Sequence, residues 1–398
     1  MKTKLNIAQI TPYYYPSIGG VSAVAQYISE ELVNRGHKVD AITAFKDHKG
    51  RPPLNVPFNE VINGVNVFRY RSILNISHMS VMPGLITHLI KHKYDVLHYH
   101  SYRHPLCDIS ASFGKIKKCV NVLHGHGPFF ERGEIGKLKH LIYDIYDKVA
   151  QKTTLKWTDS IITLNKFEYS NFKDIFSDDD KLVIIPNAAE SNSFIQTDPS
   201  DFIKKYNLIG KKIILCLGIL NESKRQDLLI EALPKIVKEV PEAFLILVGP
   251  DGNLLEKIKA TAKSYDVERY YKFIGPLMGA EKHMAFDSAS IFALVSDKDA
   301  YPLVIAEAMA HHLPVIATDA RGPKDMIHNG IDGLIVKKRN VSEISSAIIK
   351  LLKNDTLRKE MSLNARLNAE KNHSQTGVVD QLEKIYYDLL NKKSLQRV

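Results

Sequence analysis

Residues 295–336, VSDKDAYPLVIAEAMAHHLPVIATDARGPKDMIHNGIDGLIV, decide the fold. Short apolar runs at 291–295, 315–318 and 333–336 read as buried strands, because strands covered on both faces lose the polar alternation of half-exposed ones. Between the first two lies a helix opened by a loop. Between the last two lie a turn with a glycine at Gly322 and a short helical turn. A helix joining two buried strands is the crossover that parallel pairing needs. Two acids, Asp299 and Glu307, lie in this stretch with seven residues between them. One sits in the loop after a strand and the other a turn or two into the helix. That order puts both at the carboxyl end of a parallel sheet, where open α/β sheets bind ligands.

The same alternation extends to both sides. Upstream, KIILCLG at 212–218 begins a series: a helix over 226–240, a strand over 244–248, the turn GPDG, a helix over 254–265, a strand over 271–274 and a helix over 280–288. Downstream, helices are predicted over 341–353, 356–370 and 378–391. Further back, residues 5–11, 39–43, 65–70, 95–100, 118–124, 159–163 and 183–186 read as strands. Residues 21–35 form a helix by their apolar spacing (Val21, Val24, Ala25, Ile28, Leu32), with Gly36 as its cap. Helices are also predicted over 83–91, 139–156 and 166–176. Residues 46–61 are polar and Pro-rich and read as a loop, and 129–140 as a flexible basic stretch. Two α/β series with a junction near Asn187 follow, consistent with a length of 398 residues, at which a single core no longer suffices.

Composition narrows the class. The chain is 44% hydrophobic and 25% charged, the balance of an ordinary globular protein. No apolar run reaches the roughly 18–20 residues of a membrane span, and the start lacks a signal-peptide core and cleavage site. A cytoplasmic protein is expected, with attachment at the cytoplasmic face of a membrane as a further option. Cys107, Cys119 and Cys216 are scattered and form neither a metal pair nor a disulfide framework. The net charge of +10 calls for an anionic partner. Residues 78–157 hold twelve Lys/Arg against six Asp/Glu and nine of the sixteen His. That region reads either as a solvated basic face or as a surface for anionic lipid or a phosphorylated acceptor. No recognition helix, zinc finger or aromatic RNA platform is present, so nucleic acid is not the expected partner.

Three local patterns bear on chemistry. Gly19-Gly20 lies between the first strand and the first helix, where backbone N–H groups can approach a phosphate; a ligand-free tight turn is the alternative. The full Gly-x-Gly-x-x-Gly dinucleotide spacing is absent, although Asp40 stands at a ribose-binding distance. His98 and His100 share one strand face, and His124 and His126 are likewise two apart. Histidines lining a cleft are the favoured reading, a zinc site the other. The acid run SDDDK, in the turn before the 183–186 strand, reads as solvated surface.

Taken together these motifs resemble the retaining glycosyltransferases of family 4, glycosyl transferases group 1. The resemblance rests on Gly19-Gly20, YDVLHYHS at 94–101, His124-Gly125, IIPNAAE at 184–190, LGILNESKRQDLLIEAL at 217–233, the glycine turn near Gly249 and the 295–336 block. It implies an α/β GT-B fold, two Rossmann-like domains facing each other across a cleft. Residues 1–190 would form the acceptor side, with the C-terminal helix 378–398 packed back on it, and 191–377 would bind the sugar nucleotide. The co-substrate implied is a nucleotide-diphosphate sugar, with no other cofactor and no metal; the acceptor would be a glycan or lipid-linked. By position, Glu307 would hold the ribose hydroxyls, Asp299 the donor sugar and Lys224 the diphosphate. Gly19, Gly20, Gly218, Leu303 and Val304 would line the donor, and His124 would stand near its sugar. His124, Lys224 and Asp299 are thus the candidate catalytic residues. The chain departs from the family twice: Asp299 stands where Glu is usual, and Ile219 where an arginine usually completes the diphosphate clamp, leaving Arg225 as a substitute. Retention would follow from same-face attack, the leaving phosphate oxygen taking the acceptor proton. An epimerase or hydrolase on the same fold, and a non-catalytic binding relative, are the competing readings.

Overall fold

The computed structural model describes residues 3–17, 19–45, 56–76, 79–129, 135–176 and 178–395. Most of the loop expected over 46–61, and residues 130–134 of the flexible basic stretch, lie outside the described residues. The chain forms two compact α/β units: residues 1–187 with 375–398, and residues 188–374.

The first unit is built on strands β1 (Asn6–Thr11), β2 (Lys38–Ala44), β3 (Asn59–Ile62), β4 (Val65–Tyr70), β5 (Leu74–Ile76), β6 (Met79–Val81), β7 (Val96–His100), β8 (Val120–His124), β9 (Ser160–Thr163) and β10 (Leu182–Ile184). Eight of them make one sheet in the order β10-β9-β8-β7-β1-β2-β4-β3, and β5 and β6 form a separate hairpin. Every pairing in the large sheet is parallel except β3 with β4. β3 corrects the loop reading over 59–61. It is a four-residue edge strand with no fully buried position, so no apolar run marks it.

A helix absent from the sequence reading, Pro105–Lys117, covers one face of this sheet. Its sequence PLCDISASFGKIK is rich in small residues, which blurs the apolar stripe. The structural reason is at Gly114: a Cβ there would stand 1.8 Å from Oδ1 of Asn121 on β8. The helix expected over 139–156 is instead Lys137–Lys152 followed by the short turn Thr154–Trp157, broken at Thr153.

The last helix, Gln375–Leu395, completes the first unit. Arg35 pairs with Asp380 at 2.7 Å, His37 with Glu383 at 2.9 Å and Lys393 with Asp159 at 2.6 Å. The Tyr387 hydroxyl donates to the Thr3 carbonyl at 2.7 Å.

The second unit holds β11 (Lys212–Leu217), β12 (Ala243–Val248), β13 (Tyr271–Phe273), β14 (Ile291–Leu294), β15 (Val315–Thr318) and β16 (Gly333–Val336), all parallel, in the order β13-β12-β11-β14-β15-β16. This is the doubly wound order, with its reversal between β11 and β14. Cys216 on β11 is part of the core, where burial pushes its thiol up to about 12; all three cysteines are buried and free.

Candidate functional site

In the second unit the crevice at the carboxyl ends of β11 and β14 is the topological switch point, the place where ligands meet such a sheet. The loop after β11 carries Lys224 and the loop after β14 carries Asp299. The fold brings them into contact: Lys224 Nζ bonds the Asp299 carboxylate, which also accepts from Ser296 Oγ at 3.0 Å. Both side chains stay only part-buried, at 20% and 12% exposure, so the pair is reachable from solvent.

Glycines set how closely the surrounding backbone approaches. A Cβ on Gly249, at φ +139°, would lie 2.1 Å from the Gly218 carbonyl oxygen. The ends of β11 and β12 can meet only because that side chain is absent. Gly322 does the same for the loop bearing Asp299: a Cβ there would lie 2.7 Å from the Ala300 oxygen, and its N–H donates to the Asp299 carbonyl at 3.0 Å.

Glu307 lies on the helix Leu303–Ala310 that follows the same loop. Five of the eight residues of that helix are buried, and the three that are not are Leu303, Val304 and Glu307. Glu307 stands three residues from Val304 and four from Leu303, so both share its helical face. The candidate donor-lining residues of this helix are therefore its only partly open side.

Arg225, offered as a replacement for the missing arginine at Ile219, is otherwise engaged. In a left-handed backbone conformation (φ 54°), it forks onto Asp227 at 3.0 and 3.1 Å, with Asp297 3.6 Å away. Lys257 shares Asp227 at 2.6 Å. Arg225 is thus part of an ion-pair network rather than a free phosphate ligand. Ile219 itself is exposed, and its carbonyl accepts from Gln226 Nε2 at 3.0 Å.

One functional candidate escaped the sequence reading. Lys282 bridges Glu190 at 2.6 Å and Glu307 at 3.3 Å. Behind it a polar chain continues: His283 Nε2 is 4.0 Å from Glu190, His283 Nδ1 is 3.0 Å from His311 Nε2, and His311 Nδ1 is 2.7 Å from Asp287. Asp287 is held by the N–H and Oγ of Thr197 at 2.7 and 2.6 Å. Burial raises the Glu307 carboxyl above its ordinary range, and the Lys282 charge opposes this. Burial likewise pushes the Lys282 ammonium down, but Glu307 and Glu190 outweigh it and the group ends raised. No motif announces Lys282, which sits 92 residues from Glu190 and 25 from Glu307.

With Glu307 as the ribose ligand that the family resemblance implies, Lys282→Met is expected to move the acid limb of the pH profile for donor binding to higher pH. Without the ammonium, the Glu307 proton is lost only at a pH above its present, already raised, value. The donor KM should rise by about tenfold at neutral pH, the scale of one charge-assisted contact. A kcat/KM profile measured across pH reads this directly.

In the first unit, Gly19 and Gly20 lead from β1 into the helix Gly20–Asn34, and His98, His100 and His124 lie on β7 and β8. Among the described residues no atom lies within 4 Å of a Cβ built on either glycine, so packing does not demand glycine there. Asp40, the ribose candidate of the dinucleotide alternative, is buried and accepts from Asn66 at 2.8 Å and Tyr94 at 2.7 Å, a structural assignment.

His98, His100, His124 and His126 form a stack, the first three buried and His126 half-buried. Ring centroids are 4.2 Å apart for His124 and His126 and 4.5 Å for His98 and His100. His100 uses both nitrogens, on His126 at 2.8 Å and on Gln9 at 2.8 Å, and His98 Nδ1 meets the Tyr386 hydroxyl at 2.7 Å. The ligand atoms of His98, His100 and His124 all fall within 4.8 Å, so the zinc reading has a geometric basis. Near-parallel rings and a fully hydrogen-bonded His100 give the cluster the form of an imidazole stack. Both nitrogens of His124 and Nε2 of His98 are buried without a partner among the described residues.

Burial drives the His124 imidazole down to about 3, and burial with mutual repulsion lowers His98, His100 and His126 as well. His88, buried on a neighbouring helix, is lowered to about 4. These groups are neutral in the folded chain, whereas an unfolded chain takes up protons below about pH 6.5. The unfolded state then binds more protons, so stability falls as pH drops below that value and is unaffected above it. Urea unfolding of the intact protein should show a midpoint that is flat from pH 7 to 8 and declines steadily from pH 6.5 to 5.

Comparison with known proteins places the chain among sugar-transferring enzymes. The family model described as Glycosyltransferase Family 4 matches residues 18–192, and the model described as Glycosyl transferases group 1 matches residues 199–368. The N-acetyl-alpha-D-glucosaminyl L-malate synthase of Bacillus anthracis is 27% identical, over 98% of both chains. The UDP-Gal:alpha-D-GlcNAc-diphosphoundecaprenol alpha-1,3-galactosyltransferase of Escherichia coli is 24% identical, over 98% of this chain and 99% of its own. Among solved structures, Anabaena HepE in complex with UDP superposes with a TM-score of 0.77 at 16% identity, covering 96% of this chain and all (100%) of the other.

Proposed function

Because the chain belongs to the group 1, family 4 glycosyltransferases of GT-B fold, we propose that it moves a sugar from a nucleotide-diphosphate donor to a glycan or lipid-linked acceptor, retaining the anomeric configuration and needing no metal. The observation that carries this reading is the meeting of Lys224 and Asp299 at the switch point, beside a helix whose open face is Leu303, Val304 and Glu307. Uridine diphosphate is the nucleotide we favour. HepE was solved with UDP, and the Escherichia coli relative is named for UDP-Gal. The latter's diphosphoundecaprenol acceptor supports a lipid-linked acceptor here.

Each residue then has a task. Glu307 accepts the two ribose hydroxyls, which a single carboxylate can do with its two oxygens. Leu303 and Val304 flank it. Lys224, with the backbone N–H groups near Gly218, meets the negative charge that builds on the diphosphate as the sugar–oxygen bond breaks. Asp299 contacts the donor sugar and orients Lys224. The leaving phosphate oxygen takes the acceptor proton on the face where attack occurs.

A thermal-shift screen against UDP-, GDP- and ADP-sugars tests the donor, since a ligand of the native state alone raises the melting temperature. UDP-sugars should give the largest shift, unchanged by EDTA. Product NMR should show the anomeric configuration of the donor. An inverted product, or a new sugar isomer formed from donor alone, would overturn the reading.

A further inference from the structure

The helix Lys137–Lys152 is packed with its polar side inward. The residues it buries are Tyr143, Asp147 and Ala150. Asp147 accepts from Arg103 at 2.6 and 3.0 Å and from the Tyr102 hydroxyl at 3.0 Å. The Arg103 guanidinium lies 4.4 Å from the centre of the Tyr143 ring. On the opposite side stand Leu138, Leu141, Ile142, Ile145 and Val149, exposed by 72, 55, 53, 56 and 58%. Their spacing lines them up along one stripe spanning about 100° of the helix over a length of about 17 Å. Single exposed apolar residues are ordinary, but a contiguous stripe of five on one helix marks a surface that something covers.

The charges around the stripe say what. Lys137, Lys148 and Lys152 border it, all exposed, with Asp144 the one exposed acid of the helix. A second copy docked here by two-fold symmetry would set these lysine borders against their own kind. An anionic lipid surface meets both features at once, taking the apolar stripe into the acyl boundary and the lysines among its headgroups. No helix among the described residues is long and apolar enough to cross a membrane, so the contact would lie in the interface plane.

We propose that the Lys137–Lys152 helix is a membrane-docking element. It lies flat on an anionic bilayer with Leu138, Leu141, Ile142, Ile145 and Val149 inserted and Lys137, Lys148 and Lys152 on the headgroups. The assignment stands on this helix alone and is independent of the donor chemistry, although it places the first unit where a lipid-linked acceptor would be found.

Co-sedimentation of the full chain with phosphatidylcholine vesicles, with and without phosphatidylglycerol, tests it. The protein should bind only the anionic vesicles, less at high salt. Leu141→Gln with Ile145→Gln should weaken binding at least about tenfold, and Lys148→Glu with Lys152→Glu should abolish the preference for anionic lipid. Both variants alter exposed positions and should melt as the parent does. Failure of the parent to sediment with anionic vesicles, or equal binding by the Gln variant, would overturn the assignment. So would a concentration-dependent dimer that the Gln variant splits, since the stripe would then be an interface between copies. None of these outcomes bears on the transfer reaction, which is measured with a soluble acceptor.

Discussion

Glu307→Ala should lower kcat/KM for the donor by at least about 100-fold while leaving the protein folded. Two ribose hydroxyls donating to a carboxylate are charge-assisted bonds, worth about 1.5–3 kcal/mol each. Losing both removes about 3–6 kcal/mol, which is more than two decades in rate. The fold tolerates the change because Lys282 keeps its 2.6 Å partner Glu190, so no buried ammonium is orphaned. The carboxyl is also held above its ordinary range by burial, so its removal relieves a desolvated group. The melting temperature should accordingly stay within about 4 °C, the shift that about 1 kcal/mol produces in a domain of this size. Glu307→Gln keeps the shape and one acceptor oxygen, and should fall between parent and Ala. Steady-state kinetics with calorimetric melting separates the outcomes: full activity in Glu307→Ala would remove this residue from the site.

Lys224→Ala should act on kcat rather than on KM, lowering it by about 100- to 1,000-fold. A preorganised cation aimed at charge that develops only in the transition state carries an effect of this order. In the resting structure that cation is held by Asp299, itself fixed by Ser296 at 3.0 Å. The two residues form one unit, so their effects will not add. Asp299→Ala should cost less than Lys224→Ala, and the double variant should be little worse than Lys224→Ala alone. Lys224→Arg keeps the charge and should restore part of the activity, which a purely structural lysine would not require. If kcat is unchanged in Lys224→Ala, the diphosphate charge is met elsewhere. Arg225 is a poor candidate for that, bound as it is to Asp227 at 3.0 and 3.1 Å.

The α/β architecture was legible because buried parallel strands are written as short apolar runs with turn residues after them. The runs at β11, β14, β15 and β16 needed no tertiary information, nor did the loop-then-helix order that puts Asp299 and Glu307 at one end of a sheet. Where the sequence reading failed, packing had replaced pattern. The helix Pro105–Lys117 is disguised by the small residues that let it sit against Asn121. The edge strand Asn59–Ile62 buries nothing completely and carries no apolar run. The helix Lys137–Lys152 is visible as amphipathic, but its sequence does not say that the apolar side faces out.

Local sequence therefore determined which segments form strands and helices, and which of the loops at the carboxyl ends bear acids, a lysine or glycines. Those properties depend on residues a few positions apart. Tertiary structure alone decided who meets whom: Lys224 with Asp299 across 75 positions, Lys282 between Glu190 and Glu307, and Arg225 drawn away from any phosphate by Asp227. Charged side chains find partners by proximity in space and by how much water they lose on burial. Neither quantity is a function of spacing along the chain, and both arise only once the sheet order has placed β11 beside β14.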